Sequence, residues 1–229
     1  MGAVGDALQA CKTRIQTACL QARRGDACVG LIAVSKTFPA AAIREAYAAG
    51  QTVFGESYLQ EALPKLDALA DLDLEWHFIG PLQSNKTRPV AERFAWVHSL
   101  EREKVARRLS EQRPAALPAL NVCIQVNVSG EASKQGVAPT AAVGLALAVT
   151  ELARLRLRGF MTIPAPCDNI DAQRAAYRIL AELRDEANRH GLQLDTLSMG
   201  MSADIEAAIF EGATLVRVGT AIFGARPDK

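Results

Sequence analysis

Eight times along this chain a short apolar run gives way to a polar or glycine-containing turn, and seven of the following stretches are amphipathic and rich in Ala, Leu, Glu and Arg. A period of two residues alternating with a period of 3.6 is the pattern of strands and helices in strict succession. It predicts strands over 31–35, 52–54, 74–79, 96–98, 122–128, 157–162, 195–198 and 215–218. Helices are predicted over 39–49, 57–70, 83–92, 101–112, 140–152, 171–190 and 203–212, and an extra helix over 4–24 precedes the first strand. Pro39 suits a first helical turn, and Gly50, Gly191 and Gly212 lie just past helix ends, where a left-handed residue is often needed. Ser202 precedes Ala203-Asp204-Ile205-Glu206 and is placed to cap the last of these helices, with Ile205, Ala208 and Ile209 facing inward. Eight strands alternating with helices in 229 residues favour an α/β fold, a single closed (β/α)8 barrel of the TIM type. The competitor is an open doubly wound sheet. Its dinucleotide-binding form is weakened because no Gly-x-Gly-x-x-Gly follows the first strand.

Composition narrows the function classes. A net charge of +1 offers nothing to nucleic acid or to an anionic membrane. No apolar run approaches the ~18 residues a membrane span needs, and the first ten residues lack a signal-peptide pattern. The five cysteines, 11, 19, 28, 123 and 167, are an odd and scattered set. They suit a reducing cytoplasm and argue against a disulfide framework or a zinc site. Arg113-Pro-Ala-Ala-Leu-Pro118 is the one proline-rich turn, read as a loop before strand five, and the whole of 1–229 is expected to form one domain.

Lys36 carries the chemistry. Ile32, Val34 and Lys36 share one face of the first strand, so an amine follows two apolar residues at its end. In a barrel that end is the active rim, and phosphate is often held by the loops after strands seven and eight. Those loops are Ser198-Met-Gly-Met-Ser202 and Val218-Gly-Thr-Ala-Ile-Phe-Gly224. Ser202 offers a hydroxyl at a helix start, while Gly219 and Thr220 offer backbone amides at close approach. A lysine amine beside a phosphate cradle points to a phosphorylated aldehyde or ketone held as a Schiff base. The bland readings are a lysine snorkelling over the barrel edge, and loops that merely turn and cap.

Other candidates surround that rim. Arg217 shares the Leu215 face of strand eight and should point into the barrel near its top. It needs an acceptor: a ring nitrogen or carboxylate of a ligand, or a structural ion pair with Glu56 or Glu206. His77 and His98 end strands and either line the mouth or are satisfied rim histidines. Met161 ends strand six, where it packs on a flat ring or in the core. Gln83, Asn85 and Lys86 follow strand three, Asn127 ends strand five, and Lys134 lies in a glycine-flanked loop over 129–136 expected to be mobile.

These residues resemble the YggS/PROSC family of pyridoxal phosphate (PLP) homeostasis proteins. The matching segments are Ala33-Val-Ser-Lys-Thr37, Phe54-Gly-Glu56 with Tyr58 and Gln60-Glu61, the run from Trp76 to Lys86, Leu197 to Ser202, and Val216 to Arg226. The resemblance covers about Leu31 to Arg226. It implies a barrel similar to the N-terminal domain of alanine racemase and PLP bound covalently to Lys36. It implies the phosphate on Ser202 and at Gly219 and Thr220, with Arg217 against the pyridine nitrogen. Met201, Met161 and Ser57 complete the implied cofactor neighbours. Two positions depart from the family pattern. Ser57 stands where the family usually has asparagine, and Phe38 where some relatives have a second lysine.

The resemblance further implies a cytoplasmic monomer that buffers or delivers PLP, with apo-enzymes as transient acceptors, indirect effects on amino-acid balance and no robust catalysis. A racemase-like enzyme is the alternative. It needs an acid or base on the far face of the cofactor, for which Tyr58, His77 and Lys134 are the candidates. A class I aldolase-type barrel, with Lys36 attacking a sugar phosphate directly, is the third reading.

Overall fold

The computed structural model describes residues 2–25, 28–131 and 134–225. Helix α1 (Ala3–Gln21) leads into β1 (Gly30–Val34), α2 (Ala40–Ala48), β2 (Val53–Glu56), α3 (Leu59–Ala68) and β3 (Glu75–Phe78). There follow a 3-10 turn (Ser84–Lys86), α4 (Thr87–Arg93), β4 (Trp96–Leu100), α5 (Glu103–Gln112), β5 (Leu120–Gln125) and α6 (Pro139–Thr150). The chain ends in β6 (Leu155–Met161), α7 (Ile170–Arg189), β7 (Thr196–Ser198), α8 (Ile205–Phe210), β8 (Leu215–Val218) and α9 (Thr220–Phe223). All eight strands pair in parallel in sequence order, and β1 closes on β8. The fold is the expected (β/α)8 barrel with an extra N-terminal helix.

Closure decides where the site is. Gly30, Leu31, Ile32 and Ala33 pair with Leu215, Val216, Arg217 and Val218, so both termini of the barrel end on one rim. Helix α1 lies over that seam. Its buried residues Leu8, Cys11, Ile15, Ala18 and Cys19 form one helical stripe, which packs against α2, α8 and α9.

Two hydrophobic layers follow from strands buried on both faces. Between strands and helices lies a shell that includes Phe54, Phe78, Phe94, Leu109 and Phe160. Inside the barrel a small cluster of Trp96, Cys123 and Met161 is joined by Leu215. Above it the interior is unusually polar, because His77, His98, Ser198 and Arg217 are all buried.

Local boundaries differ from the sequence reading in three places. The helix expected over 83–92 is a 3-10 turn followed by α4. Pro89 sits in the first turn of α4, where its missing N–H costs least, and the helix starts at Thr87. The helix expected over 203–212 is the shorter α8, preceded by Asp204 and not by Ser202. The turn after β8 winds into the four-residue α9. Cys28 Sγ comes within 3.5 Å of Cys19 Sγ, a pairing that the sequence spacing concealed, and both remain thiols. Arg226 and the loop residues Ala132 and Ser133 lie outside the described residues. Among the described residues no helix is long and apolar enough to cross a membrane.

The proline-rich 113–118 segment is a loop, and Arg113 fastens it. Its buried guanidinium donates to the carbonyls of Ala91 and Phe94, both at 2.7 Å, and to that of Pro118 at 2.8 Å. Replacement by leucine strips three carbonyls of their donor. We expect Arg113→Leu to lower stability by about 3 kcal/mol, measured as the shift in the urea midpoint.

Candidate functional site

The loops at the C-terminal ends of β1, β2, β3, β6, β7 and β8 enclose a cavity of about 270 Å3. Lys36, partly buried two residues beyond β1, reaches into it. Val34, Ile79, Ile163 and Met201 supply apolar wall, and Ser57, Ser202, Thr220 and Arg217 supply polar groups.

The backbone around Lys36 is held from below. Glu56, fully buried at the end of β2, accepts from Ser35 Oγ at 2.7 Å and from Lys65 Nζ at 2.8 Å. The same Lys65 ammonium donates to the Ser35 carbonyl at 2.9 Å. Desolvation raises the Glu56 carboxyl above its ordinary value, and the Lys65 ammonium beside it pulls the other way. One residue past the lysine, Thr37 has φ +70°. For a β-branched residue this is a strained backbone, of the kind that persists only where its surroundings impose it. Here the Thr37 amide donates to Glu61 Oε2 at 3.1 Å, and the Phe38 amide donates to the Ser35 carbonyl at 3.1 Å.

The cradle opposite Lys36 is built from the β7–α8 and β8–α9 loops. Gly200 turns the first of them at φ +96°, and a Cβ there would lie 2.6 Å from that of Ala208. Only glycine satisfies both the left-handed angle and that approach. Ser202 does not cap α8. Its hydroxyl meets Thr220 Oγ1 at 3.2 Å; α8 starts only after Asp204, whose Oδ1 accepts from the Met201 amide at 2.6 Å. Two hydroxyls from different loops therefore stand side by side next to Gly219. Arg14 of α1 secures the arrangement by donating to the Ser202 carbonyl at 2.6 Å while pairing through two nitrogens with Glu206.

Arg217 is buried and takes neither of the carboxylates the sequence offered it. Glu56 belongs to Lys65 and Glu206 to Arg14. Arg217 Nη1 donates to Ser198 Oγ at 2.7 Å and Nη2 to the Thr162 carbonyl at 2.8 Å. Ser198, the first residue of the segment read as a phosphate turn, thus serves the barrel interior. Behind it His98 Nδ1 lies 2.8 Å from Ser198 Oγ, and His98 Nε2 lies 2.8 Å from His77 Nδ1. His77 Nε2 lies 2.8 Å from Glu75 Oε1. Burial pushes the pKa of His77 down and that of His98 well down, and the Glu75 carboxyl is lowered by its hydrogen bond to His77.

Seven of the sequence-selected cofactor residues, Lys36, Ser57, Met201, Ser202, Arg217, Gly219 and Thr220, line the cavity. Met161 does not; it is buried in the barrel floor beside Trp96 and Cys123. Ile163, two residues on, forms the wall at that strand. Tyr58 lies in a neighbouring groove with Gln60 and Lys86. His77 and His98 are in the interior, not at the mouth. Gln83 and Asn85 border a separate basic groove with Arg102 and Arg108. Asn127 organises its loop by donating to the carbonyls of Glu131 and Lys134, and Lys134 does not line the cavity. Arg14, Lys65 and Ile79 escaped the sequence reading. Lys65 carried a faint signal, as a cation on the helix that follows Glu56, whereas Arg14 carried none.

Comparison with known proteins accords with this geometry. A family model described as the alanine racemase N-terminal domain matches residues 7–227. A pyridoxal phosphate homeostasis protein of Pseudomonas aeruginosa is 62% identical over 226 residues, covering 99% of this chain and 97% of that protein. The solved structure of PipY from Synechococcus elongatus with PLP bound superposes with a TM-score of 0.84 at 36% identity, covering 96% of this chain and all of that one. An alanine racemase of Clostridium difficile shares the fold alone, with a TM-score of 0.75 at 14% identity over 98% of this chain and 58% of that one. The chain belongs to the alanine racemase N-terminal domain family and, within it, to the YggS/PROSC family of pyridoxal phosphate homeostasis proteins.

Two stability predictions follow from the buried charges. Lys65→Met leaves the Glu56 carboxylate without its cation and should lower stability by about 3–5 kcal/mol at pH 8. That penalty shrinks as pH falls through the raised Glu56 pKa, since a protonated carboxyl needs no cation; urea midpoints at pH 8 and pH 5 check both. The histidine pair has folded-state pKa values below the unfolded 6.5, so its contribution is present above pH 6.5 and lost as pH falls. Between pH 6.5 and 5 the unfolded chain takes up as many as two extra protons. Stability should then fall by up to about 2.7 kcal/mol per pH unit, read as the pH dependence of the urea midpoint.

Proposed function

We propose that this protein binds PLP covalently through Lys36 Nζ and serves PLP homeostasis inside the cell, holding the cofactor and releasing it to apo-enzymes. The observation that carries this reading is the convergence of an amine, a paired-hydroxyl cradle and a fixed guanidinium on one cavity of about 270 Å3. Each end of that cavity suits one end of a phosphorylated pyridine aldehyde. The Ser202 and Thr220 hydroxyls, with the backbone at Gly219 and Thr220, suit the phosphate. Val34, Ile79, Ile163 and Met201 suit the flat ring, with Ser57 at its edge. Arg217 suits the ring nitrogen as a donor.

When bound, PLP supplies an aldehyde carbon to an amine and an electron sink through its ring nitrogen. Arg217 works against the second of these properties. A guanidinium donates a hydrogen bond but keeps its proton, so the ring nitrogen it faces stays unprotonated and the sink is weak. Tyr58, His77 and Lys134, the candidate acid or base groups, all lie off the cavity. The second feature supports a carrier in preference to a racemase; an arginine at the ring nitrogen is common to both and does not separate them. A relative so named and a neighbour with PLP bound support the same reading.

The purified protein, loaded with PLP, is expected to show a near-visible absorbance band that disappears in Lys36→Ala. Interconversion of D- and L-alanine or serine should stay far below enzyme-like rates. No band after PLP is added would overturn this reading and favour the aldolase-type barrel.

A further inference from the structure

The floor of the cavity is tied to the opposite end of the barrel by a continuous hydrogen-bonded chain: Arg217, Ser198, His98, His77 and Glu75. Its four links measure 2.7–2.8 Å. It crosses strands β8, β7, β4 and β3, and only Glu75 emerges, with its side chain 48% exposed.

The two ends dictate the direction of every link. A guanidinium can only donate, so Ser198 Oγ accepts from Arg217. A carboxylate can only accept, so His77 Nε2 carries the hydrogen that faces Glu75. Burial lowers the His77 pKa below its ordinary value, so above pH 6.5 the ring is neutral and its Nδ1 is a bare acceptor. His98 must then donate from Nε2, leaving its own Nδ1 to accept the Ser198 hydroxyl hydrogen. The opposite polarity would set the lone pair of His77 Nε2 against the lone pairs of Glu75. One pair of tautomers therefore satisfies all five groups, and every dipole points from the cation to the carboxylate. Trp96 stacks on His77 with ring centroids 5.1 Å apart, at 13° between planes, and fixes that ring. Arg158 lies over the Trp96 ring, 4.8 Å from its centroid, with its charge engaged by Asp195.

We infer that Glu75, His77, His98 and Ser198 are positioning residues that hold Arg217 in a single donor orientation and couple the cavity to a carboxylate on the solvent-facing base of the barrel. Among the described residues Arg217 pairs with no carboxylate; Asp204 acts on it only through space, and this chain is its hydrogen-bonded connection to one. A change of charge at Glu75 therefore alters how Arg217 meets a ligand on the other side of the barrel. The link to PLP rests on the function proposed above; the polarity of the chain does not.

The chain has only three histidines, so the imidazole nitrogens of 15N-histidine-labelled protein can be assigned by NMR. In the wild type without ligand, His77 and His98 should both be neutral tautomers with the proton on Nε2. Glu75→Gln keeps an acceptor facing His77 and should preserve them. Glu75→Lys offers only donors; it should move the proton to Nδ1 on both rings, including His98, which Glu75 does not touch. In PLP-loaded protein, Glu75→Lys should shift the near-visible band and raise the apparent dissociation constant for PLP roughly three-fold or more, with Glu75→Gln closer to wild type. Addition of PLP to the wild type should move the His77 and His98 signals and leave His190 in place.

The inference is overturned if either wild-type ring carries its proton on Nδ1 or titrates near pH 6.5. It is equally overturned if Glu75→Lys folds with an unchanged His98, or if a protein showing the band leaves both histidine signals unmoved by PLP. Absence of the band from the wild type would instead defeat the cofactor reading, while the tautomers of the same sample decide the chain's polarity.

Discussion

The pairing of β1 with β8 is the contact on which the rest of the site depends. Lys36 lies near one end of the chain and Arg217, Gly219 and Thr220 near the other, yet the register Ile32 to Arg217 and Ala33 to Val218 sets them on one rim. A parallel barrel places all strand C-termini together, so the chemistry of every βα loop is pooled there. Helix α1 covers the seam, and its Arg14 reaches the loop that presents Ser202. The N-terminal helix is thus part of the site's scaffold as well as a cover for apolar surface.

A polar interior is an unusual choice for a barrel, where branched apolar residues normally fill the layers. Burying Arg217 without a neighbouring carboxylate is unfavourable unless each donor is met and the charge is compensated at a distance. Ser198 and the Thr162 carbonyl meet two of its donors. The neutral histidines transmit its polarity toward Glu75 and are themselves held neutral by burial. The second charged element, Glu56 with Lys65, lies under Ser35 and governs the backbone that carries Lys36. Both devices place structural stability and site geometry in the same residues.

Much of the fold was legible because alternation of periods is a local property. The eight strands appear where apolar runs predicted them, and Lys36, Arg217 and the two glycine-containing loops could be assigned to one rim once a closed barrel was assumed. What was not legible is instructive. Ser202 looked like a helix cap from its spacing to Glu206, but the helix begins only after Asp204 and the Ser202 hydroxyl meets Thr220 instead. Met161 looked like a ring-packing residue from its place at a strand end, but one strand position separates the floor from the wall, and Ile163 holds the wall. His77 and His98 looked like rim residues, since strand ends in sequence do not report how far a strand extends past its neighbours in a sheared barrel.

The sequence by itself determined the order of strands and helices, the barrel class and the candidate amine, Lys36. These depend on periodicity and residue type, which are carried in each local window and in recognisable motifs. Tertiary structure alone decided the partners. Glu56 and Glu206, both candidate partners of Arg217, pair with Lys65 and Arg14, and Ser198, read as part of a phosphate turn, serves the interior. Each choice was made by distances between segments far apart in the chain. Strain at Thr37 and the direction of the Glu75–Arg217 chain belong to the same category. A hydrogen bond is satisfied or not only when both groups are in place, and no local pattern encodes that.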